Sequence, residues 1–527
     1  MRNFHFPGRS PTYCTNGMVA CSHPIASKTA LIALEKGGNA VDAAIAAALV
    51  LPICEPQMTG LYGDMFALLN HPKRETVIGL NGSGKSPSGL DAELLREQGI
   101  RKVNANSPHS VTLPGAILAF ETLANDFSKL GLAEACKSAI YYAEHGVPVA
   151  PRVAFDWKKD FNNLSNHGKT YYSINGLPPT AGQIFKAPKQ AEVLRKIAKH
   201  GAKGFYAGDV AEDIITSLQN LGGLHTLDDL NNVVCEYVTP ISTNYNGASL
   251  IELPPNGQGA TALLLAKILE NFDYSCFDPL GHERVHLEAE ASKLAYTARN
   301  KFIADPNYCT TDIATFFSSQ TATELAKKID MQRATPNLAS QTEEVHLDTV
   351  LITVVDNDRC AISLIFSIFH SFGSGHASEK YGLIFQNRGS GFTLEKDHPN
   401  ELAGGKRPLH TIIPAMVQKN DELLLVYGVM GGQYQPAGHV RILSNLIDYG
   451  LDIQTAIDLP RSFSDSSGLL LEHGYNRKIA DQLQTLGHNV LRPDTPLGGA
   501  QAIFIDNELG VLIGGSDPRK DGLAIGY

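Results

Sequence analysis

Residues 349–368 read TVLITVVDNDRCAISLIFSI, and this stretch decides how the whole chain is organised. Two runs of β-branched and other apolar residues, 349–355 and 361–368, lie on either side of 356–359, a polar tetrapeptide typical of a turn. The pattern predicts an antiparallel hairpin. Since helical patterns dominate before it and strand-like patterns follow it, we expect an α+β protein in which helices cover a largely antiparallel sheet system.

Apolar residues at helical spacing dominate the first 300 residues. A helical segment over 25–51 is divided by Gly37-Gly38, which ends a first helix, and Asn39 can cap a second. Further helices are predicted at 115–129, 132–145, 189–200, 209–220, 260–271 and 284–301. Beyond the hairpin, strands are predicted at 383–386, 423–429 and 501–505.

The composition excludes several classes of protein. With 527 residues, 43% apolar and 19% charged, the chain can form a large core and is neither disordered nor a coiled coil. Its net charge of −10 opposes binding to a phosphate backbone, so we expect no nucleic-acid partner. The most apolar window, 40–54, contains Asp42 and Pro52, so we expect no membrane span.

The location of the protein is predicted from its first residues and its cysteines. Pro7 and Gly8 interrupt any apolar leader, so no secretion signal is expected. The eight cysteines lie far apart and form no C-x-x-C pair. This spacing favours reduced thiols and a cytoplasmic protein.

A nucleotide-binding loop is the first candidate site. Residues 79–86 read GLNGSGKS and match G-x-x-x-x-G-K-[ST]. A helix should begin at the lysine of such a loop, but Pro87 follows the motif at once. A Gly/Ser turn explains the segment equally well, and nucleotide binding stays a remote alternative.

A zinc site is the second candidate. Residues 282–286 read HERVH and match H-E-x-x-H at the start of a helical pattern. Two histidines need a further ligand, and Glu288 and Glu290 are poorly placed for it: His282 and Glu290 would lie roughly 12 Å apart along a helix. The sequence therefore favours a polar helix start and no metal site.

A third set of motifs runs through the whole chain. It consists of SHPIAS (22–27), GGNAVDAAIAAALVL (37–51), EPQMTG (55–60), ELPPNGQG (252–259), DTVLITVVD (348–356), FGSG (372–375), GKRPLHTIIPAMV (405–417), GVMGGQYQP (428–436) and SDPRKDG (516–522). In order and spacing these motifs resemble the γ-glutamyltransferase family of N-terminal-nucleophile hydrolases from residue 17 to the end of the chain. The resemblance implies a four-layer αββα sandwich and an enzyme that needs no cofactor, metal or nucleotide.

The resemblance also implies that the chain is a proenzyme that cuts itself between Asp348 and Thr349. A threonine hydroxyl is a weak nucleophile that needs an adjacent base, and a chain-terminal amine can serve as that base. Thr349 Oγ would attack first the Asp348 carbonyl and later a substrate amide. The implied products, 1–348 and 349–527, stay associated as one folded unit, and a homo-oligomer of that pair is compatible with the sequence.

Three further residues receive catalytic roles from the resemblance. Gly431 and Gly432 match the oxyanion pair of the family, whose backbone N–H groups stabilise the negative oxygen of the transition state. Ser367 falls where the family has a second hydroxyl that assists processing or orients the nucleophile. Each position also has an ordinary structural explanation, a Gly–Gly turn and a serine on a strand.

The substrate-binding positions depart from those of the glutathione-cleaving members. The Arg and Asp with which those enzymes hold the γ-glutamyl group align here with Ala92 and Gly391. Their paired serines align with His410 and Thr411. Both charged groups that would hold the two ends of an amino acid are therefore missing.

The NNQ strand residues of the family align with Gln386, Asn387 and Arg388. The planar guanidinium of Arg388 can hold a small carboxylate, although an arginine in a solvated loop would fit the sequence equally well. With Asn387, His410 and Thr411, it completes the candidate substrate-binding set.

The motifs look closest to a cytoplasmic side branch of the family that includes oxamate amidohydrolase and glutathione-hydrolase-like proteins. We therefore expect hydrolysis of a small carboxylate-bearing amide such as oxamate. A glutathione hydrolase or γ-glutamyl transferase is the nearest alternative. A processing-dead binding protein is another, since Val350 and Leu351 stand where glutathione-cleaving members carry Thr and His. The expected partners are the small-molecule amide and the second chain of the cut protein.

Overall fold

The hairpin predicted at 349–368 lies at the centre of a seven-stranded sheet. The structure is a computed structural model that describes residues 8–336 and 349–527. Its strands are β1 (Thr12–Cys14), β2 (Met18–Cys21), β3 (Asp64–Asn70), β4 (Ile78–Gly82), β5 (Val147–Pro148), β6 (Ile184–Phe185), β7 (Glu236–Val238), β8 (Ile241–Tyr245), β9 (Ala248–Glu252), β10 (Val350–Val355), β11 (Ala361–Ser367), β12 (Ala415–Lys419), β13 (Glu422–Met430), β14 (Ser462–Ser464), β15 (Leu469–Leu471), β16 (Val490–Leu491), β17 (Gly499–Asp506), β18 (Val511–Ser516) and β19 (Leu523–Gly526). β10 and β11 pair antiparallel, which confirms the hairpin.

The helices surround these strands. They are α1 (Pro24–Glu35), α2 (Ala40–Cys54), α3 (Ala92–Glu97), α4 (Ala116–Phe127), α5 (Leu132–His145), α6 (Pro151–Asp160), α7 (Asn166–Tyr171), α8 (Pro188–His200), α9 (Lys203–Tyr206), α10 (Gly208–Asn220), α11 (Leu227–Asn231), α12 (Gly259–Leu269), α13 (His282–Phe302), α14 (Ile313–Phe316), α15 (Ser319–Ala326), α16 (Gln435–Ile447), α17 (Ile453–Asp458) and α18 (Arg477–Thr485). Six of them, α4, α5, α8, α10, α12 and α13, confirm the helices predicted between residues 115 and 301.

Two seven-stranded antiparallel sheets form the centre of the molecule. The first sheet has the strand order β19-β2-β10-β11-β3-β4-β7, and the second has the order β1-β18-β17-β13-β12-β9-β8. Strands from before and after residue 349 occur in both sheets. Both parts of the chain therefore contribute strands to each sheet, and the division into 1–348 and 349–527 stays a prediction.

Side chains along β10 alternate between two cores, because successive residues of a strand point to opposite faces of its sheet. Leu351 and Val355 pack between the two sheets, whereas Val350, Ile352 and Val354 pack against helices. The helices on that outer face centre on α2, every residue of which is buried. On the opposite side, α12, α13 and α16 cover the second sheet. The order helix, sheet, sheet, helix confirms the predicted αββα sandwich.

The segment at 25–51 forms two helices, as predicted. The Asn39 side-chain oxygen accepts hydrogen bonds from the N–H groups of Val41 and Asp42, and the Asp42 carboxylate accepts one from the Asn39 N–H. This reciprocal capping begins α2. The helix ends at Cys54, three residues beyond the predicted end.

The strand predicted at 383–386 is wrong, whereas β13 and β17 confirm the other two. Ile384 forms only an isolated bridge with Ala377. The Phe385 N–H donates to the His376 carbonyl, so the segment pairs with its own preceding loop and not with a sheet. Its apolar pattern reflects burial rather than sheet pairing.

The GLNGSGKS motif is a structural turn. Its first residues belong to β4, and residues 83–91 contain no helix. A Cβ atom on Gly84 would lie 1.5 Å from the Leu113 carbonyl oxygen, so this glycine is required by a close approach of two backbones. The helix N-terminus that holds phosphates in a nucleotide-binding loop does not follow the motif.

Two observations bear on location. All eight cysteines are free thiols. Among the described residues, every helix is too short or too polar to cross a membrane. The cytoplasmic location stays a prediction.

Candidate active site

The predicted nucleophile lies at the start of the central hairpin. Thr349 immediately precedes β10 and is 1% exposed. Because Val350 pairs with Phe366, the antiparallel register brings Thr349 beside Ser367, with Cα atoms about 5 Å apart. The two predicted hydroxyl groups thus share one end of the hairpin. Asp348 lies outside the described residues, so the predicted cut stays a prediction.

The Ser367 hydroxyl connects the end of β11 to a buried guanidinium. Its Oγ accepts hydrogen bonds from the Phe369 N–H at 2.9 Å and from Arg388 Nη2 at 3.3 Å. Phe369 has a φ of +79°, a conformation that bulky residues rarely adopt. The first of these bonds spans the sharp bend that follows β11, and the second orients Arg388.

Arg388 is buried completely, which corrects the alternative of a solvated loop arginine. Its Nη1 donates to Thr411 Oγ1 at 2.7 Å, and its guanidinium carbon lies 4.0 Å from the centre of the Phe369 ring. Arg388 forms no ion pair with any carboxylate of the described residues. Burial lowers the pKa of Arg388 to about 9, although the charge of Asp64 opposes the shift. The group is therefore a cation at neutral pH, and no carboxylate of residues 8–336 or 349–527 bonds to it.

The glycine pair predicted to form the oxyanion site follows β13. Gly431 and Gly432 have φ values of +121° and +54°. A Cβ atom on Gly431 would lie 2.9 Å from the Cα of Gly498, so a side chain is excluded there. Gln258 Nε2 donates to the Gly432 carbonyl at 2.9 Å and to the Thr411 carbonyl at 2.6 Å. Gln258 thus connects the glycine pair to the threonine that contacts the buried guanidinium.

Asp64 and His410 form a buried pair behind Ser367, which Asp64 faces across the sheet. His410 Nε2 lies 3.1 Å from Asp64 Oδ2, and His410 Nδ1 accepts from the Ile412 N–H at 3.3 Å. Burial, reinforced by the charge of Arg388, lowers the pKa of His410 to about 4. The ring is therefore neutral and carries its proton on Nε2. Because both ring nitrogens have protein partners, the substrate-binding role of His410 stays a prediction.

Asn387 is also held by protein groups. Its Oδ1 accepts from the His370 N–H at 3.1 Å, and its Nδ2 donates to the Ala105 carbonyl at 3.2 Å. These bonds fix the backbone immediately before Arg388. Its predicted contact with substrate stays a prediction.

Two residues that organise the site are absent from the sequence candidates. Gln258 makes the connection described above. Asp64 accepts hydrogen bonds from the Gly84 N–H and from Gln386 Nε2, both at 2.9 Å. The available signal was a polar residue inside a motif: Gln258 is the fifth residue of PPNGQG (254–259), and Asp64 follows Tyr62-Gly63.

A cleft of about 660 Å³ opens beside these residues. Phe369 and Thr411, both in contact with Arg388, line it, as do Gln433 and Arg299. Arg299 Nη1 donates to Gln258 Oε1 at 2.7 Å. The cleft therefore adjoins the residues that connect the glycine pair and the buried arginine.

The second histidine of the HERVH motif, His286, belongs to a buried polar cluster that does not include the first histidine, His282. The nitrogen and oxygen atoms of His286, Glu290 and His488 lie within 4.8 Å of one another. Sequence reasoning missed His488, which comes from beyond α18. His286 Nδ1 and His488 Nε2 are 2.8 Å apart, and Lys293 Nζ donates to Glu290 at 2.7 Å. These atoms have protein partners, and we assign no metal to them.

Comparisons with known proteins agree with this architecture. The family model described as gamma-glutamyltranspeptidase matches residues 26–527. The glutathione hydrolase-like YwrD proenzyme of Bacillus subtilis (strain 168) is 34% identical over 97% of this chain and 98% of its own length. The oxamate amidohydrolase proenzyme of Klebsiella pneumoniae subsp. pneumoniae is 32% identical over 98% of this chain and 100% of its own length.

A solved structure shows the same likeness in three dimensions. The cephalosporin acylase from Bacillus halodurans superposes with a TM-score of 0.92 at 35% identity, covering 100% of this chain and 99% of that one. These relatives are hydrolases, and the two curated ones are described as proenzymes. The chain is an enzyme of the gamma-glutamyltranspeptidase family, in the class of N-terminal-nucleophile hydrolases.

Proposed function

We propose that this enzyme cuts itself and then hydrolyses small amides that carry a carboxylate next to the scissile carbonyl, of which oxamate is the simplest. The observation that carries the proposal is Arg388, a fully buried guanidinium that forms no ion pair with a described residue. A substrate carboxylate would supply the missing negative charge. The name of the oxamate amidohydrolase relative supports the same substrate class.

Processing would begin with Thr349. Its Oγ attacks the carbonyl carbon of Asp348, the peptide nitrogen leaves as the new α-amine of Thr349, and an ester joins the two chains. Water then hydrolyses the ester, which frees the hydroxyl and leaves a carboxylate on Asp348. The products would be 1–348 and 349–527, held together because both contribute strands to both sheets.

Turnover would use the new amine as the base. With a pKa of roughly 8, it accepts the proton of Thr349 Oγ as this oxygen attacks the substrate carbonyl. The N–H groups of Gly431 and Gly432 stabilise the negative oxygen that forms. The amine passes its proton to the leaving nitrogen, the C–N bond breaks, and an acyl-enzyme remains. Water, activated by the same amine, releases the acid.

Arg388 and Thr411 would hold the substrate carboxylate. Thr411 both accepts from Arg388 Nη1 and lines the cleft, so the guanidinium lies directly below the cleft floor. Ser367 contacts the same guanidinium from the side of Thr349. A carboxylate adjacent to the scissile carbonyl would therefore be held close to the nucleophile, as oxamate requires.

Gel electrophoresis and two activity assays test the proposal. Wild-type protein should separate into two chains, the smaller beginning at Thr349, and should release ammonia from oxamate faster than glutamate from glutathione. Thr349→Ala should abolish cutting and turnover. Thr353→Ala is the matched control on the same strand; it should be cut normally, because the Thr353 hydroxyl bonds to the Ala20 carbonyl.

Three results would count against the proposal. An uncut wild-type chain would favour a processing-dead binding protein. Turnover by Thr349→Ala would locate the nucleophile elsewhere. Faster cleavage of glutathione than of oxamate would favour the glutathione hydrolase alternative.

A further inference from the structure

The cleft beside the buried arginine is much larger than oxamate. Its volume of about 660 Å³ is typical of a site for a whole small-molecule ligand. Oxamate releases ammonia, a single heavy atom, so its leaving group would occupy almost none of this space. The cleft therefore has room for a larger group on one side of the amide.

The acyl side of the site is closed. Arg388, which would bind the acyl carboxylate, is 0% exposed and lies beneath Phe369 and Thr411. Because Arg388 is buried and is not among the residues that line the cleft, we infer that an acyl group anchored there by its carboxylate is short. The open cleft is therefore available to the other half of the amide, the leaving amine.

Cations outnumber carboxylates among the described residues that line the cleft, although the whole chain has a net charge of −10. Four of its described lining residues are cations, Arg101, Lys102, Arg299 and Lys301, against one carboxylate, Glu395. A cleft lined by one sign of charge concentrates ligands of the opposite sign.

Two of these cations, Arg101 and Lys301, lie at the exposed rim of the cleft. Arg101 and Lys301 are exposed, and neither forms an ion pair with a described residue. Surface charges of this kind contribute little to stability. Beside them, Phe392, Leu394 and Leu409 provide an apolar wall for the carbon atoms of a ligand.

From this closed acyl side and basic cleft we propose that the leaving amine of the substrate is acidic, an amino acid with one or more free carboxylates. The substrate class is then N-oxalyl-type amides of acidic amino acids. Hydrolysis adds one water across the C–N bond and yields the small dicarboxylic acid and the amino acid. This inference rests on the proposed function, and its test is arranged so that the two can fail separately.

A series of oxalyl amides tests the inference. The processed enzyme is assayed with oxamate, N-oxalylethylamine, N-oxalylglycine and N-oxalylaspartate, whose leaving amines are ammonia, a neutral amine, and amines with one and two carboxylates. We expect kcat/KM to rise about tenfold from the neutral amine to glycine and again to aspartate. The advantage of aspartate should shrink in 0.5 M salt, because salt screens exposed charges.

Variants of the cleft cations test whether these residues cause the preference for acidic leaving amines. Arg101→Ala combined with Lys301→Ala should lower the ratio of kcat/KM for N-oxalylaspartate to that for N-oxalylethylamine about tenfold. Lys419→Ala, at the end of β12 and outside the cleft, should leave this ratio unchanged. Equal rates for neutral and acidic amines, or a ratio that the double variant does not change, would overturn the inference while leaving the proposed function intact.

Failure of oxamate hydrolysis would instead contradict the proposed function. In that case, calorimetry of the processed enzyme with free aspartate and with ethylamine still decides the inference about the cleft. Preferential binding of aspartate that is lost in the Arg101/Lys301 double variant would support an acidic leaving group. Absence of such binding would overturn it.

Discussion

Two buried arginine sites in this protein differ in whether a carboxylate is present. Between α13 and α16, Glu288 bridges two arginines: Arg284 Nε donates to its Oε1 at 3.0 Å, and Arg441 Nη1 donates to its Oε2. At the end of β11, Arg388 donates only to two hydroxyl groups among the described residues. In the first site each arginine has a bonded carboxylate, whereas Arg388 has none among the described residues.

The pKa values report the same difference. Burial favours a raised pKa for Glu288, yet the charges of Arg441 and Arg284 hold it below its ordinary value. Glu288 in turn raises the pKa of Arg441 despite burial. At Arg388 burial prevails, and the pKa falls to about 9. A buried cation with a bonded carboxylate belongs to the fold, whereas one without it is suited to bind a charged ligand.

Removing the central carboxylate should break the first site. Glu288→Gln leaves two buried guanidinium groups without a counter-charge, and we expect a loss of about 3 to 5 kcal/mol in the free energy of unfolding. The measurement is denaturant unfolding in a Thr349→Ala background, where the chain stays in one piece. Glu192→Gln, which removes an exposed ion pair with Lys189, should lose less than about 1 kcal/mol. A comparably small loss for Glu288→Gln would mean that this site is not an electrostatic unit.

Removing Arg388 from the second site should lower activity without lowering stability. Arg388→Met deletes a buried charge that has no bonded carboxylate, so stability should stay the same or rise. Activity on oxamate should fall about 100- to 1,000-fold, equivalent to roughly 3 to 4 kcal/mol, because the substrate carboxylate loses its charged partner. Arg388→Lys should recover only part of that loss, since an ammonium lacks the planar arrangement of donors.

The paired control is Arg441→Met at the other site. It should destabilise the protein while the folded fraction keeps its kcat/KM for oxamate. If Arg388→Met destabilised the protein as strongly as Arg441→Met, the distinction between the two sites would be wrong.

The sequence alone predicted the element that positions the site but only part of the site itself. The β-branched runs at 349–368 predicted the central hairpin, which the structure confirms. The ordered motifs led to Thr349 and Gly431-Gly432, whose catalytic roles stay predictions. The strand predicted at 383–386 was wrong, because an apolar run shows burial without showing its hydrogen-bond partners. Short strands such as β2 were missed, because four buried residues are too few to show a strand pattern.

Contacts across long sequence separations could not be predicted. Glu288 entered the sequence reasoning only as a poorly placed zinc ligand, since its partner Arg441 lies 153 residues away. Arg388 could be read as solvated or as a carboxylate site until Thr411 and Phe369 were seen to enclose it. Whether a charged side chain is buried depends on the assembled layers and not on the local pattern.

The pH dependence of stability should reveal a smaller effect at His410. The folded-state pKa of His410, about 4, is lower than the ordinary value of 6.5. Between these values the unfolded chain binds a proton that the folded chain does not, so stability is complete above pH 6.5 and falls as the pH drops towards 4. His410→Gln should remove up to about 1.4 kcal/mol per pH unit from this slope. The measurement is the free energy of unfolding at several pH values between 7 and 5.

His225 is the matched control, because burial lowers its pKa to about 4 as well. Its Nε2 lies 2.8 Å from the Val111 carbonyl oxygen, and it has no hydrogen bond to Asp64 or Arg388 among the described residues. His225→Gln should reduce the pH slope by a similar amount and leave oxamate hydrolysis in the folded enzyme unchanged. His410→Gln should also lower kcat/KM, because His410 contacts Asp64, which lies across the strand pair from Ser367. An unchanged slope in His410→Gln would show that this ring is protonated in the fold; Asp64 and His410 would then be an ion pair, and the second site would resemble the first.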